Sequence, residues 1–175
     1  MKFFAPSRFR DAKWEDIPVE IRNLLENIIS KKRKVKGLFI SGQSGRGKTH
    51  ICYALMNHLI EIGETVEAVV LNVPQLLEII REDYNRPAGE KEFNTSDLRG
   101  KLVILDDLGS QKTTEWAEEK LYLLINEYYE EEVPMIITSN YSIEKLPNHL
   151  SDRIVSRIAG GCEVVELEGK DKRTE

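Results

Sequence analysis

Eight residues, GQSGRGKT from Gly42 to Thr49, constrain this chain more than any other stretch. They fit the pattern G-x-x-x-x-G-K-[ST], follow an apolar run that reads as a strand and precede a segment that reads as a helix, which is the context the pattern requires. At ordinary residue frequencies such a match arises by chance on the order of once in 30,000 positions, so a glycine-rich turn without a ligand is a poor competitor. Gly42, Gly45 and Gly47 let the backbone take conformations closed to residues with side chains. Consecutive N–H groups then converge on one anion at a helix N-terminus. The anion implied is the β-phosphate of ATP or ADP, with Lys48 neutralising β- and γ-oxygens and the Thr49 hydroxyl ligating Mg²⁺. The candidate nucleotide-binding residues are Gly42, Gln43, Ser44, Gly45, Arg46, Gly47, Lys48, Thr49 and the next residue, His50, whose imidazole is assigned no chemistry.

Binding alone needs only that loop, whereas hydrolysis needs an acidic group at the tip of a neighbouring strand. KLVILDD, Lys101 to Asp107, supplies two. Asp106 ends the apolar run where the Mg²⁺ shell is expected, and Asp107, one step on, is placed to polarise the attacking water. Without the glycine loop upstream, paired acids after a strand would read as a turn or a helix cap. PMIITSN, Pro134 to Asn140, brings Thr138, Ser139 and Asn140 to the same carboxyl edge of the sheet. Asn140 is the candidate for a hydrogen bond to the γ-phosphate or to the water.

The remaining sequence alternates short Val- and Ile-rich runs with longer amphipathic ones, the pattern of a parallel sheet covered by helices. The other strands are GLFIS (Gly37 to Ser41), VEAVVLN (Val66 to Asn72) and CEVVEL (Cys162 to Leu167). A helix is expected from Pro18 to Lys32, with Asp16 as its cap and Ile21, Leu24, Leu25, Ile28 and Ile29 as its apolar stripe. Others follow the loop, span Pro74 to Arg81, and run from Glu115 to Glu131, where Trp116, Leu121, Leu124, Ile125 and Tyr128 share one side. Pro87 to Arg99 reads as a loop with a turn of helix. At 175 residues, 41% of them hydrophobic, the chain fits one domain with a real core.

The net charge of −5 argues against a surface wholly devoted to nucleic acid. KKRKVK, Lys31 to Lys36, is the one dense basic run; a solvated helix end is the favoured reading and a phosphate contact the other. Nothing approaches the roughly 18 apolar residues of a membrane span, and MKFFAPSRFRD lacks an export signal, so a cytoplasmic location is expected. Cys52 and Cys162 belong to no metal motif and read as small buried hydrophobes, and the three histidines lack ligand spacing.

Together, the glycine loop, the LDDLG segment and the ITSNY strand end resemble the AAA+ ATPases, in particular the bacterial helicase loaders of DnaC and DnaI type and the related IstB transposition helpers. The likeness covers nearly the whole chain, including PSRFRDAKWEDI, the helix containing Trp116, and LSDRIVSRI. It implies a three-layer α/β P-loop NTPase fold (AAA+ core) with a five-stranded parallel sheet, the strand-end Asn140 as sensor, and Arg157 or, second, Arg153 as an arginine finger reaching a neighbouring subunit's nucleotide. A lid domain and a second sensor have no counterpart here. Residues 1–36 form a lead-in segment and helix, 37–168 the ATPase core and 169–175 a polar tail. By resemblance, a DNA-touching element falls within about Gln75 to Phe93, where Arg81, Tyr84, Arg86 and Lys91 supply cations and a ring.

The resulting expectation is an ATPase, activated by self-assembly or single-stranded DNA, that helps load the replicative DNA helicase. The alternative partner is a transposase. A small-molecule kinase would want an acceptor pocket and a mobile lid, and a nucleotide-gated interaction module would bind without turnover; both rank behind.

Overall fold

The computed structural model describes residues 5–30, 36–63, 67–84, 86, 95–112, 114–169 and 171. Among these residues five α-helices, α1 (Val19–Ile29), α2 (Lys48–Glu61), α3 (Val73–Tyr84), α4 (Glu115–Glu130) and α5 (Asp152–Gly161), alternate with strands β1 (Gly37–Ser41), β2 (Ala68–Asn72), β3 (Leu102–Leu108), β4 (Ile136–Ser139) and β5 (Cys162–Glu166). All strand pairings are parallel, in the order β2-β3-β4-β1-β5. Such a sheet needs both faces covered, and the side-chain alternation of β1 shows how. Leu38 and Ile40 pack with Ile21, Leu25, Ile51 and Leu55 of α1 and α2; Phe39 points the other way, among Leu76, Leu121, Leu124 and Ile154 of α3, α4 and α5. The expected three-layer α/β fold with five parallel strands is present.

Sheet order corrects one expectation. The acid-bearing strand β3 is not beside β1, because β4 lies between them and pairs with both. Register between β3 and β4 runs Ile104 with Ile136 and Leu105 with Ile137, then jumps to Leu108 with Ser139. Asp106 and Asp107 therefore share a single opposing residue, Thr138. This is a bulge, in which one strand spends two residues where its partner spends one. Asp107 takes up the strain with a φ of 66°.

Asp16 does not cap α1. The helix starts at Val19 after Pro18, whose φ of −52° and ψ of 139° are extended, and no side chain caps it. Instead the Asp16 carboxylate closes a 3₁₀ turn, Trp14–Asp16, by accepting the Lys13 N–H at 3.1 Å. At α4 the Thr114 hydroxyl accepts the Ala117 N–H at 3.2 Å, an N-cap of ordinary type. Trp116 is only half-buried, with the Arg81 guanidinium 5.1 Å from its ring centre. α3 extends beyond the expected Pro74 to Arg81 at both ends. Most of the basic run at 31–36, the loop at 87–94 and most of the tail at 170–175 lie outside the described residues; Thr95–Leu98 forms the expected turn of helix.

The segment before α1 is fastened to α2. Asn57 Nδ2 donates to the carbonyls of Phe9 (3.2 Å), Arg10 (3.2 Å) and Ala12 (2.9 Å). Phe9 stacks on Tyr53 at 4.9 Å and Trp14 on His58 at 4.3 Å. No described helix is long and apolar enough to cross a membrane.

Candidate functional site

Residues 42–47 leave the carboxyl end of β1, and α2 begins at Lys48, directly after Gly47. Two of the glycines are dictated by close approach as well as by φ. A Cβ at Gly42 (φ 147°) would stand 2.7 Å from the Leu167 carbonyl oxygen, and one at Gly45 (φ 82°) would overlap the Asp171 carboxylate. The Lys48 side chain is buried at the mouth of this loop, its ammonium donating to the carbonyls of Gly42 (2.5 Å) and Gln43 (2.9 Å) and to Asn140 Oδ1 (2.8 Å). Arg46 points outward and donates to Gln43 Oε1.

The two acids diverge. Asp106, 5% exposed, has both carboxylate oxygens 3.1 Å from Thr49 Oγ1, and its Oδ1 accepts the Thr138 hydroxyl at 2.7 Å. Burial pushes the Asp106 carboxyl up from its ordinary range, hydrogen bonds from Thr138 and Thr49 pull it back, and the charge of Asp107 adds to the rise. Asp107 turns towards Asn140, whose Nδ2 donates to Asp107 Oδ1 at 2.8 Å. Asn140 thus joins Lys48 to Asp107 through the two ends of one amide. The three residues expected to act on the γ-phosphate and its attacking water are brought together at one strand edge.

A hydroxyl and a carboxylate are hard oxygen donors, the set a small divalent cation uses when phosphates complete its shell. Among the described residues no three His, Cys, Asp or Glu side chains gather into a metal cage. Thr49 and Asp106 therefore fit Mg²⁺ carried in by a nucleotide better than a resident metal. Beneath them, Cys52 Sγ lies 4.0 Å from Asp106 Oδ1. Burial, and then the charge of Asp106, raise that thiol well above its usual range, so it serves as neutral filling.

A cavity of about 680 Å³ opens over the loop, within the range of small-ligand sites. Its wall also includes Arg8, Phe9 and Asp16 from the N-terminal segment and Asn72 from the end of β2, none of which the sequence marks as part of a nucleotide site. His50 enters this wall by its side chain, Nε2 lying 3.0 Å from Asp16 Oδ2. The Lys13 amide first, and the His50 contact next, hold the Asp16 carboxyl below its ordinary range. No local pattern marks Arg8, Phe9 and Asp16, because only the folding of the N-terminal segment onto α2 places them.

Arg153 and Arg157 are not among the described residues that line this cavity. Arg157 Nε donates to Asn126 Oδ1 at 2.9 Å, its guanidinium lies over Tyr129, and it borders a cavity of about 470 Å³ with Gly37 and Met135, at the opposite edge of the sheet. Arg153 is exposed, 4.3 Å from the Tyr122 ring centre. Tyr84, the last residue of α3, is 74% exposed, and Arg86, two residues past the helix, pairs with Asp83 at 3.7 Å, while Lys91 lies outside the described residues.

The family model for IstB-like ATP binding proteins matches residues 21–175. The replicative helicase loader DnaI of Bacillus subtilis is 24% identical over 153 residues, which make up 80% of this chain and 48% of that protein. The chain thus spans about half the length of that relative. A crystal structure of DnaI superimposes with a TM-score of 0.78 at 21% identity, covering 94% of this chain and 95% of that one. AMPPCP-bound DnaA from Aquifex aeolicus gives 0.77 at 22% identity over 98% of this chain and 54% of the other. These likenesses establish the AAA+ fold.

Proposed function

The chain belongs to the family of IstB-like ATP-binding proteins, and from that premise we propose that it hydrolyses ATP and acts in the cytoplasm as a loader of the replicative DNA helicase onto single-stranded DNA. The observation that carries hydrolysis is the linked set Lys48, Asn140 and Asp107 beside the Thr49 and Asp106 pair. A site built for binding alone would need the loop but not a sensor amide tied to a second acid.

Each group has one task. The loop amides and Lys48 hold the phosphates at the head of α2. Mg²⁺, held through Thr49 and Asp106, would supply positive charge to the phosphate oxygens. Asp107 accepts a hydrogen from the attacking water and aims it at the γ-phosphorus, while Asn140 keeps that carboxylate in register with the Lys48 ammonium. Arg157 or Arg153 of a neighbouring copy stabilises charge in the transition state. This division is consistent with both arginines lying outside their own chain's cavity.

The loader assignment draws on the DnaI likeness, and the outer face of α3, with Arg81 and Tyr84, together with Arg86 just beyond its end, is the surface offered to DNA. Turnover measured over a range of protein concentrations, with and without single-stranded DNA and replicative helicase, tests it. Activity per molecule rising with concentration, and responding to helicase, is the expected result. A rate per molecule flat in concentration and indifferent to both additions overturns the loader reading, and capture by a transposase in place of helicase would transfer the same engine to transposition.

A further inference from the structure

We infer that Thr138 is a positioning residue that gives the two adjacent acids their separate tasks, an inference that rests on the ATPase reading above. Thr138 sits on β4 and is fully buried, at the point where the bulge sets one β4 residue against both Asp106 and Asp107. A hydroxyl has one proton and two lone pairs, and the geometry uses both kinds. Oγ1 donates to Asp106 Oδ1 at 2.7 Å and accepts the Asp107 N–H at 3.0 Å.

The consequences for the two acids differ. For Asp106, the bond to Oδ1 fixes rotation of the carboxylate, so that both oxygens face Thr49 Oγ1 at equal distance. For Asp107, the hydroxyl accepts an amide inside the bulge, where the register jump interrupts the regular β3–β4 ladder. That anchors the backbone at its φ of 66°, a left-handed conformation that side-chain-bearing residues rarely adopt. The turn carries the second carboxylate away from Thr49 and towards Asn140. In an unbulged strand, successive side chains point to opposite faces of the sheet, so the bulge changes the direction in which Asp107 leaves the strand relative to Asp106. Thr138 itself touches neither phosphate nor water in this scheme; it acts through Asp106 and Asp107.

Thr138→Val keeps the shape and removes the hydroxyl, Thr138→Ser keeps the hydroxyl, and Thr138→Cys nearly matches Ser in size with a weak hydrogen-bonding group. Three readouts apply to each: kcat and KM for ATP, the Mg²⁺ concentration for half-maximal binding of fluorescent ADP, and ADP affinity without metal. For Thr138→Val the expected result is kcat lower by about 10- to 100-fold and a Mg²⁺ requirement raised to a similar degree. Metal-free ADP affinity and KM stay within about 3-fold, because the phosphate loop is untouched. Thr138→Ser restores both altered quantities. Should the Val protein fail to fold, the Ser and Cys pair decides, with Cys expected to resemble the predicted Val behaviour. A wild-type Mg²⁺ requirement and kcat in Val, or equal performance of Ser and Cys, overturns the inference. An inert wild type would sink the hydrolysis reading instead, and the Mg²⁺ requirement for ADP binding would still decide the part played by Thr138.

Discussion

Asn140 Oδ1 accepts the Lys48 ammonium at 2.8 Å, which ties the tip of β4 to the phosphate-binding loop at the end of β1. The other end of that amide donates to Asp107 Oδ1, also at 2.8 Å. The two contacts set the orientation of the amide, since only its oxygen can accept from an ammonium and only its nitrogen can donate to a carboxylate. Any movement of Lys48 is therefore felt at Asp107, to which we assign the aiming of the water.

Asp107→Asn separates binding from turnover. Asparagine tolerates the left-handed backbone at this position and can still accept from Asn140, so the loop stays intact. It cannot accept a proton as a carboxylate does. ATP affinity should stay within about 3-fold while kcat falls by about 10²- to 10³-fold, measured by equilibrium titration and phosphate release. Equal losses in both would contradict the division of labour between Lys48 and Asp107.

Mixing tests the arginines. Arg157→Ala should abolish turnover alone, yet regain it when mixed with Lys48→Ala, whose intact Arg157 reaches the site of the neighbour. Arg157 also packs on Asn126 and Tyr129, so thermal unfolding must be recorded beside it. No recovery on mixing, with recovery from an Arg153→Ala mixture instead, moves the role to the exposed Arg153.

The N-terminal segment should contribute to nucleotide affinity through Asn57. Asn57→Leu removes the donor to three carbonyls, at a cost of about 1–3 kcal/mol, which corresponds to a Tm lower by roughly 2–10 °C. Because that segment carries Arg8, Phe9 and Asp16 into the cavity wall, ADP affinity should fall by about 3- to 10-fold. Unchanged affinity in a folded Asn57→Leu protein would show that the segment is packing and nothing more.

The thiols give a check on burial. Cys162 has its pKa pushed up to about 12 by burial, and Cys52, 1% exposed, is raised as well. Cys162 is then about one part in 10⁴ thiolate at pH 8 and Cys52 is shut away by burial, so neither cysteine should react with a disulfide reagent in the native protein within minutes, and both should react in urea. Reactivity would rise only as pH climbs towards the raised values. Prompt native labelling of either residue would contradict the packing at α2 or β5.

Residues whose role is local were legible in the sequence. The glycine loop, the acids ending β3 and the Asn ending β4 each carry their meaning within a few positions, and the apolar runs marked every strand to within two residues of the observed ends. What failed or was missed depends on how distant segments meet. Chain order does not give sheet order, so the placement of β4 between β1 and β3, and with it the bulge at Asp106 and Asp107, was invisible. Asp16 looked like a helix cap because Pro18 follows it, but its carboxylate is spent on Lys13 and His50. Asn57 sits mid-helix with no neighbour in sequence to explain it, and its three acceptors lie more than forty residues away. The close approach of Asp171 to Gly45 was equally unforeseeable.

On the function proposed, the head of α2 grips a nucleoside triphosphate through the loop and Lys48. Calorimetric titration of the folded chain with ATP and ADP, with Mg²⁺ present, decides whether it does. One saturable site is predicted, with affinity reduced by about 10- to 100-fold in a Lys48→Ala protein of unchanged fold. No heat of binding for either nucleotide, or a Lys48→Ala protein that binds as tightly as the wild type, would contradict it.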